Sequence, residues 1–380
     1  MKLLIVGQNV DLVLPVPDIF SSAGFEITCI STKKIFGLHP SIDQFYLVED
    51  TQDLLETASE VIKGSKFNLV VIADDNTIRS ILDSDLSLSD KEYLLPVVSK
   101  DHFDHLGSKI GLSIALNKAG LCSPQFEIVK DKSDLICKSE SMGFPLMLKG
   151  DFSACGSQTY EINNQQELQK CIDEFDHFPA VIQRKIIGDL ISIEGLYINA
   201  ELVHFSYSLV LQTEYNKKFT PSVVRSFSQP GLLNREIFDD LNALGKALGL
   251  NGFANISCIR SHEDGRHYYF EADVRPNVWV GYTKYFGDDI VISLKNYFLK
   301  GETLTYPVEV NAAYPEKITI PHFLRINTFD FIINKHSVWK FIPKNRLAMK
   351  LLLKRHFFRK LKNLITLKFI RRRLKSMGYG

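Results

Sequence analysis

Tyr269-Phe270-Glu271-Ala272-Asp273-Val274-Arg275-Pro276-Asn277 is the stretch on which the reading of this chain turns. Polar and apolar residues alternate and a Pro-Asn pair follows, so it reads as a β-strand running into a turn. Period-2 alternation puts Glu271, Asp273 and Arg275 on one sheet face. Two carboxylates and a guanidinium on one face are costly to desolvate unless a hard cation and phosphate oxygens sit against them. Taken alone, such a ladder is more often a solvated edge strand, and the rest of the chain shifts that balance.

Working outward, 253–259 reads as a partner strand. It joins 267–274 through a turn at Glu263-Asp264-Gly265, giving an antiparallel hairpin. Residues 236–248 carry a helical pattern that ends at Gly249. Residues 104–119 carry another that ends at Gly120, with Pro124 beyond, as left-handed helix ends favour. On this helix His102 and His105 would precede Lys109 as a solvated pair, since two histidines without a third ligand rarely hold a metal. Phe144-Pro145-Leu146-Met147-Leu148-Lys149 is an apolar strand ending in lysine, and 150–157 is a small-residue loop. An ammonium at the end of a buried strand needs a polar partner, and a phosphate suits it. Upstream, 2–7, 26–31 and 68–74 read as short buried strands and 52–63 as an amphipathic helix, predicting a small βαβ domain over 1–97. Asp74-Asp75-Asn76 follows a strand end, where a helix N-cap is the expected role.

The bulk composition fits a chain of 380 residues with more than one domain and α/β class. Six cysteines, at 29, 122, 137, 155, 171 and 258, show no metal-ligand spacing, which predicts reduced thiols of a cytoplasmic protein. The opening Met1-Lys2-Leu3-Leu4-Ile5-Val6-Gly7 reads as a first strand rather than a signal peptide. Gly7-Gln8-Asn9-Val10-Asp11 lacks the dinucleotide-binding glycine spacing, which argues against a dinucleotide enzyme. The net charge of +1 hides an asymmetry. Residues 331–380 hold 15 of the 45 Lys/Arg and no Asp or Glu, leaving 30 basic against 44 acidic residues, or −14, for the rest.

The order and spacing of these motifs resemble the ATP-grasp superfamily, carboxylate–amine ligase type, over about 1–330. The resemblance implies an N-terminal Rossmann-like pre-ATP-grasp domain (1–97), an ATP-grasp domain (98–330) whose lid spans about 121–190, and the basic tail (331–380). The implied reactants are ATP with Mg²⁺ and small-molecule carboxylate and amine substrates joined through an acyl phosphate. Residue by residue, it implies Lys109 and Lys149 on the nucleotide phosphates. The loop 150–157, with Ser153 and Gly156, would be the phosphate flap. The main chain of Gln183, Arg184, Lys185 and Ile186 would lie along the adenine, with Asp189 near the ribose. Glu271 and Asp273 would hold magnesium, Asp273 standing where the family has Asn. Arg275 would hold the transferring phosphoryl group or the carboxylate. Arg225, a lone arginine, reads either as a second anion clamp or as structural. Asn277, Trp279 and Tyr282 follow the metal strand and read either as pocket lining or, for the aromatics, equally as core. Ser257 stands where the family has a further metal ligand.

The tail interleaves Leu347, Leu351, Phe358, Leu361, Ile365 and Ile370 with basic residues over 346–375. An anionic membrane surface is the first reading, and would suit modification of cell-envelope or lipid-linked precursors. Packing on the chain's own acidic body is the second. Nucleic acid comes third, because phosphate-binding arms seldom carry so much apolar area. Two further alternatives stand: a non-catalytic ATP-binding protein whose metal site is broken at Ser257, and a scaffold acting through the tail.

Overall fold

The computed structural model describes residues 1–152, 158–214, 219–327, 331 and 337–358. It contains three sheets. The first is parallel, order β3-β2-β1-β4, from β1 (Lys2–Val6), β2 (Glu26–Ser31), β3 (Gln44–Leu47) and β4 (Leu69–Ile72). Strands β1, β2 and β4 are near-continuous apolar runs because a parallel sheet is covered on both faces. The helix Thr51–Gly64 buries Leu54, Leu55 and Ala58, and Asp50 caps it by accepting from the Asp53 N–H. Past β4, Asp74 Oδ1 caps the helix Asp75–Asp83 through the Thr77 N–H at 2.9 Å. Its Oδ2 accepts from the N–H groups of Gln8 at 2.6 Å and Asn9 at 3.1 Å, so it also ties down the loop after β1.

The second sheet is antiparallel, order β5-β8-β6-β7, from β5 (Phe126–Val129), β6 (Leu146–Gly150), β7 (Thr159–Ile162) and β8 (Ala180–Arg184). It has its own core, in which Leu146, Leu148 and Ile182 meet Leu135 and Leu168 of the helices Lys132–Met142 and Gln165–Glu174. Alternation turns Lys149 and Gln183 to the other face.

The third sheet has six strands, order β13-β12-β9-β10-β11-β14, all paired antiparallel. They are β9 (Gly188–Ile198), β10 (Glu201–Thr213), β11 (Ser222–Ser228), β12 (Gly252–Ser261), β13 (His267–Asp273) and β14 (Lys317–Pro321). One face, with Ile191, Ile193, Ala254, Ile256 and Tyr269, packs on Leu112, Leu116, Leu241 and Leu244 of the helices Lys109–Lys118 and Arg235–Ala247. The other face is apolar at one end, where Leu196 and Phe253 join the core of the parallel sheet, with Phe253 edge-on to Phe20. At its other end that face is polar.

Two expectations change here. The helix predicted over 104–119 runs only from Lys109 to Lys118, because Gly107 takes φ +74° and Ser108 Oγ caps the Gly111 N–H. His105 is therefore on a separate 3₁₀ turn, Lys100–His105. It is buried rather than solvated, bonded through Nε2 to the Leu248 carbonyl, and burial lowers its pKa to about 4. The tail is the second. The helix Arg346–Leu352 buries Leu347 and Leu352 in the core around the parallel sheet. Arg355 Nη1 donates to Asp11 at 2.9 Å and Asn345 Nδ2 to Asp18 at 2.9 Å. This part of the tail packs on the chain's own acidic body. Residues 359–380, which carry the rest of the basic stretch, lie outside the described residues. Among the described residues no helix is long and apolar enough to cross a membrane.

Candidate active site

The polar end of the large sheet is built from cross-strand rows. One row runs Asp273, Asn255, Glu194, Ser206 over β13, β12, β9 and β10. The next runs Glu271, Ser257, Ser192, Ser208. Each strand alternates these residues with apolar ones that face the helices, so the local pattern that makes the strand also presents the polar row.

β13 ends at Asp273, yet Arg275 returns to the same place. The chain bends so that the Arg275 N–H donates to the Asp273 carbonyl at 2.9 Å, and Arg275 Nη2 donates to Asp273 Oδ2 at 2.8 Å. Arg275 Nε reaches Asp75 Oδ2 at 2.6 Å, so the first residue of the helix after β4, next to its cap Asp74, supplies a partner to this arginine. Burial pushes the Asp273 carboxyl up and Glu271 adds to it, against Arg275 and Lys109. Burial also raises Asp75, against Arg275 and with Asp273. Burial works against the charge of Arg275, but Asp273 and Asp75 more than offset it and its pKa is raised. The Glu271 side chain makes no hydrogen bond or ion pair with a described residue and lies within electrostatic reach of Lys149, Asp273 and Arg275.

Lys149 faces this strand from the second sheet. It is 8% exposed. Its Nζ donates to Gln183 Oε1 at 2.8 Å and lies 4.4 Å from the Phe270 ring centroid. Burial lowers its pKa to about 8, Glu271 opposing and Lys109 adding to the fall. Gln183 is itself buried and bonds Ser113 Oγ at 3.3 Å. Lys109 is the first residue of its helix, and its Nζ donates to the Asp151 carbonyl at 3.3 Å. Asp151 accepts from Ser108 Oγ and the Ile110 N–H, which anchors the end of β6 on that helix. Lys109, Lys149, Glu271, Asp273 and Arg275 are thus brought together across one cleft.

The other expected residues divide. Arg184 donates to the Gly143 and Phe144 carbonyls, and Lys185 pairs with Glu161 at 2.6 Å, so both side chains are used within the second sheet. The Ile186 N–H donates to no backbone carbonyl among the described residues. Asp189 is not brought to the cleft. It falls on the strand face opposite Ser192 and Glu194 and pairs with Arg260 at 2.6 Å and His262 at 3.2 Å. The side of the strand that faces the cleft carries Leu190 instead. Ser153 and Gly156 lie outside the described residues. Asn277 Nδ2 donates to Asn255 Oδ1 at 2.7 Å, joining the polar row, whereas Trp279 and Tyr282 are core.

Arg225 reaches the row from two strands away. β10 lies between, and Nη1 donates to Glu194 Oε1 at 2.7 Å. Nε donates to Ser222 at 2.7 Å, and the guanidinium lies 4.7 Å from the Trp279 ring centroid. Glu194, Asn255 and Asp75 were missed from sequence. The signal for Glu194 was present, as Ser192 and Glu194 are period-2 polar residues in an otherwise apolar strand.

Among the described residues no three Asp, Glu, His or Cys side chains gather into a cage for a metal. That suits Mg²⁺, which takes one or two carboxylates and completes its shell with water and phosphate oxygens. The unpartnered Glu271 beside a raised Asp273 fits such a cation. A polar groove of about 430 Å³, lined by Lys2, Glu26, Gln44 and Glu60, opens at the starts of β1, β2 and β3. Parallel sheets bind ligands at the opposite strand ends, so the cleft and not this groove is the candidate site.

No protein-family model and no curated protein matches the chain. Solved structures do. An L-amino acid ligase from Bacillus licheniformis is 20% identical with TM-score 0.56, over 78% of this chain and 73% of that one. An N5-carboxyaminoimidazole synthetase from Staphylococcus aureus complexed with ADP is 14% identical with TM-score 0.64, over 88% and 86%. The biotin carboxylase domain of a Hydrogenobacter thermophilus 2-oxoglutarate carboxylase, in complex with MgADP and bicarbonate, is 15% identical with TM-score 0.60, over 82% and 72%. At these identities the likeness is one of fold, and with the three sheets and the cleft between them it shows that this chain has the ATP-grasp fold.

Proposed function

We propose that the protein is an ATP- and Mg²⁺-dependent ligase that joins a carboxylate to an amine and releases ADP and phosphate. The observation that carries this reading is Lys149. It is an ammonium buried across the cleft from Glu271, and among the described residues a neutral amide accepts its hydrogen bond. A buried charge in that state is held ready for an anion. Lys149 and Lys109 bind the nucleotide phosphates, and the main chain at 184–186 lies along the adenine. Glu271 and Asp273 hold Mg²⁺, which when bound neutralises phosphate charge. Arg275, kept charged and oriented by Asp75 and Asp273, positions the acceptor carboxylate. A carboxylate oxygen bonds to the γ-phosphorus as the bond to ADP breaks. The amine nitrogen then bonds to the acyl carbon, the phosphate leaves with its C–O electron pair, and the amine loses a proton. Positioning and charge neutralisation suffice for the phosphoryl step, so no covalent nucleophile is needed.

A thermal-shift titration of MgATP against wild type and Lys149→Ala tests the site. Ligand at 100 times its Kd adds about 2.7 kcal/mol. A shift in wild type that needs magnesium and is lost in the variant is the expected result, followed by ADP release with an acid–amine pair. No shift in wild type rejects the reading. Ser257, directly opposite Glu271, supports a second reading, a nucleotide-binding protein that does not turn over. It expects the same shift and no ADP release with any acid–amine pair. A role at a membrane surface, on envelope precursors, rests on the basic residues of 359–375. Equal co-sedimentation of the full chain and a chain lacking 359–380 with anionic vesicles rejects it.

A further inference from the structure

The groove at the starts of β1, β2 and β3 lies at the far strand ends from the cleft. The helix Thr51–Gly64 closes on the parallel sheet through Leu54, Leu55 and Ala58, which share a core with Leu4 and Ile30. Toward the strand starts the same sheet face carries Lys2, Glu26, Thr28, Gln44 and Tyr46. The end of the helix therefore has little apolar surface to close on, and about 430 Å³ stays open. Thr28 lines this space. It is 5% exposed, and among the described residues its hydroxyl has no hydrogen-bond partner. A valine would fill that place with no polar atom to satisfy, so the hydroxyl is matched to a partner from outside the chain.

The charges of the lining are unmatched as well. Lys2 and Glu26 stand opposite each other in register, yet among the described residues neither they nor Glu60 forms an ion pair. Glu26 is on the sheet wall and Glu60 on the helix wall. Gly64 and Ser65, where the helix ends, also line the groove, and the carbonyl end of a helix adds negative potential. Tyr46, Val61 and Phe67 add apolar surface to the same lining.

We propose that this groove binds a small diammonium ion, two protonated amines joined by a short methylene chain. One ammonium meets Glu26 and the Thr28 hydroxyl, which are two residues apart on one strand face. The other meets Glu60 and the last carbonyls of the helix. The methylenes lie on Tyr46, Val61 and Phe67. A carboxylate ligand would be repelled by both glutamates, and a neutral polyol would leave their charges unmatched. Lys2, the one cation among the described residues of the lining, opposes the ligand and weakens its binding. The site is separate from the chemistry of the cleft and stands whether or not the ligase reading does.

Calorimetry at low ionic strength on the full chain, titrated with 1,4-diaminobutane, tests this. Saturable binding to one site is expected. Glu26→Gln and Glu60→Gln should each weaken it about tenfold, and butylamine should bind about tenfold more weakly than the diamine. Lys2→Met should tighten it about threefold, a gain that a gap holding only solvent would not produce. Glu26, Glu60 and Lys2 are exposed, so these variants keep the fold. Glu271→Gln, which removes a carboxylate of the cleft, should leave the affinity unchanged. No saturable binding to wild type overturns the proposal. So does butane-1,4-diol binding as well as the diamine, or Lys2→Met binding no tighter. Loss of binding in Glu271→Gln also overturns it, because the diamine then sits in the cleft.

Discussion

Nucleotide binding should take up a proton, and Lys149 sets how much. In the unliganded protein burial holds this lysine near a pKa of about 8, against an ordinary value of 10.5. The gap corresponds to about 3 kcal/mol favouring the neutral form. The unfolded chain therefore binds more protons than the folded one between pH 8 and 10.5, and folding stability from this group rises with pH across that window. A phosphate beside the ammonium restores the charged form. At pH 8.5 Lys149 is about one-quarter protonated when free and almost fully protonated when paired, so binding takes up about 0.75 proton. Calorimetry of MgADP binding at pH 8.5, in two buffers of different ionisation enthalpy, reads this number directly. At pH 7 the uptake should fall to about 0.1 proton. Lys149→Met should lose the uptake at both. Uptake below about 0.2 proton at pH 8.5 in wild type, or the same uptake in the variant, would falsify the assignment of Lys149 to the phosphates.

Asp273→Asn keeps an oxygen for the metal and for Arg275, so ADP release should stay within about tenfold of wild type, whereas Asp273→Ala should lose about 10²-fold or more. Equal losses would show that charge rather than ligation matters there. Arg225→Ala leaves Glu194 buried and unpaired and should cost about 3–5 kcal/mol in urea unfolding, much of it recovered in Glu194→Leu/Arg225→Met. Leu347→Ala should cost about 2–5 kcal/mol, because that leucine is core. A variant as stable as wild type would return the tail helix to solvent or membrane.

The sequence pattern reached the hairpin of β12 and β13, the strands β1, β2 and β4, and the position of Lys149 at the end of an apolar strand, because each follows from local alternation, whereas Lys109 was singled out by the family resemblance. β3 was not read, since Gln44–Leu47 is short, half exposed and carries no apolar run. Asp189 was placed by proximity to a motif, and strand parity turned it to the wrong face. Glu194, Arg225 and Asp75 show the harder limit. Each looks ordinary alone, and only pairings across strands and between sheets reveal its partner. The tail shows the same limit from the other side. Basic and apolar residues at helical spacing suit a membrane and an acidic protein surface equally, and only the position of Asp11 and Asp18 decides for 346–355.

The bond from Arg275 to Asp75 spans 200 positions in the chain. Contacts of such separation form late, after the loop-closure entropy of everything between them has been met. The parallel sheet and the second sheet are each closed by nearer pairings and can form first. If Lys149 and Gln183 carry nucleotide affinity as proposed, that affinity should return early during refolding, and catalytic competence later. An intermediate that holds ATP without discharging it would be the kinetic signature of a chain whose reactive arginine is the last part to be set.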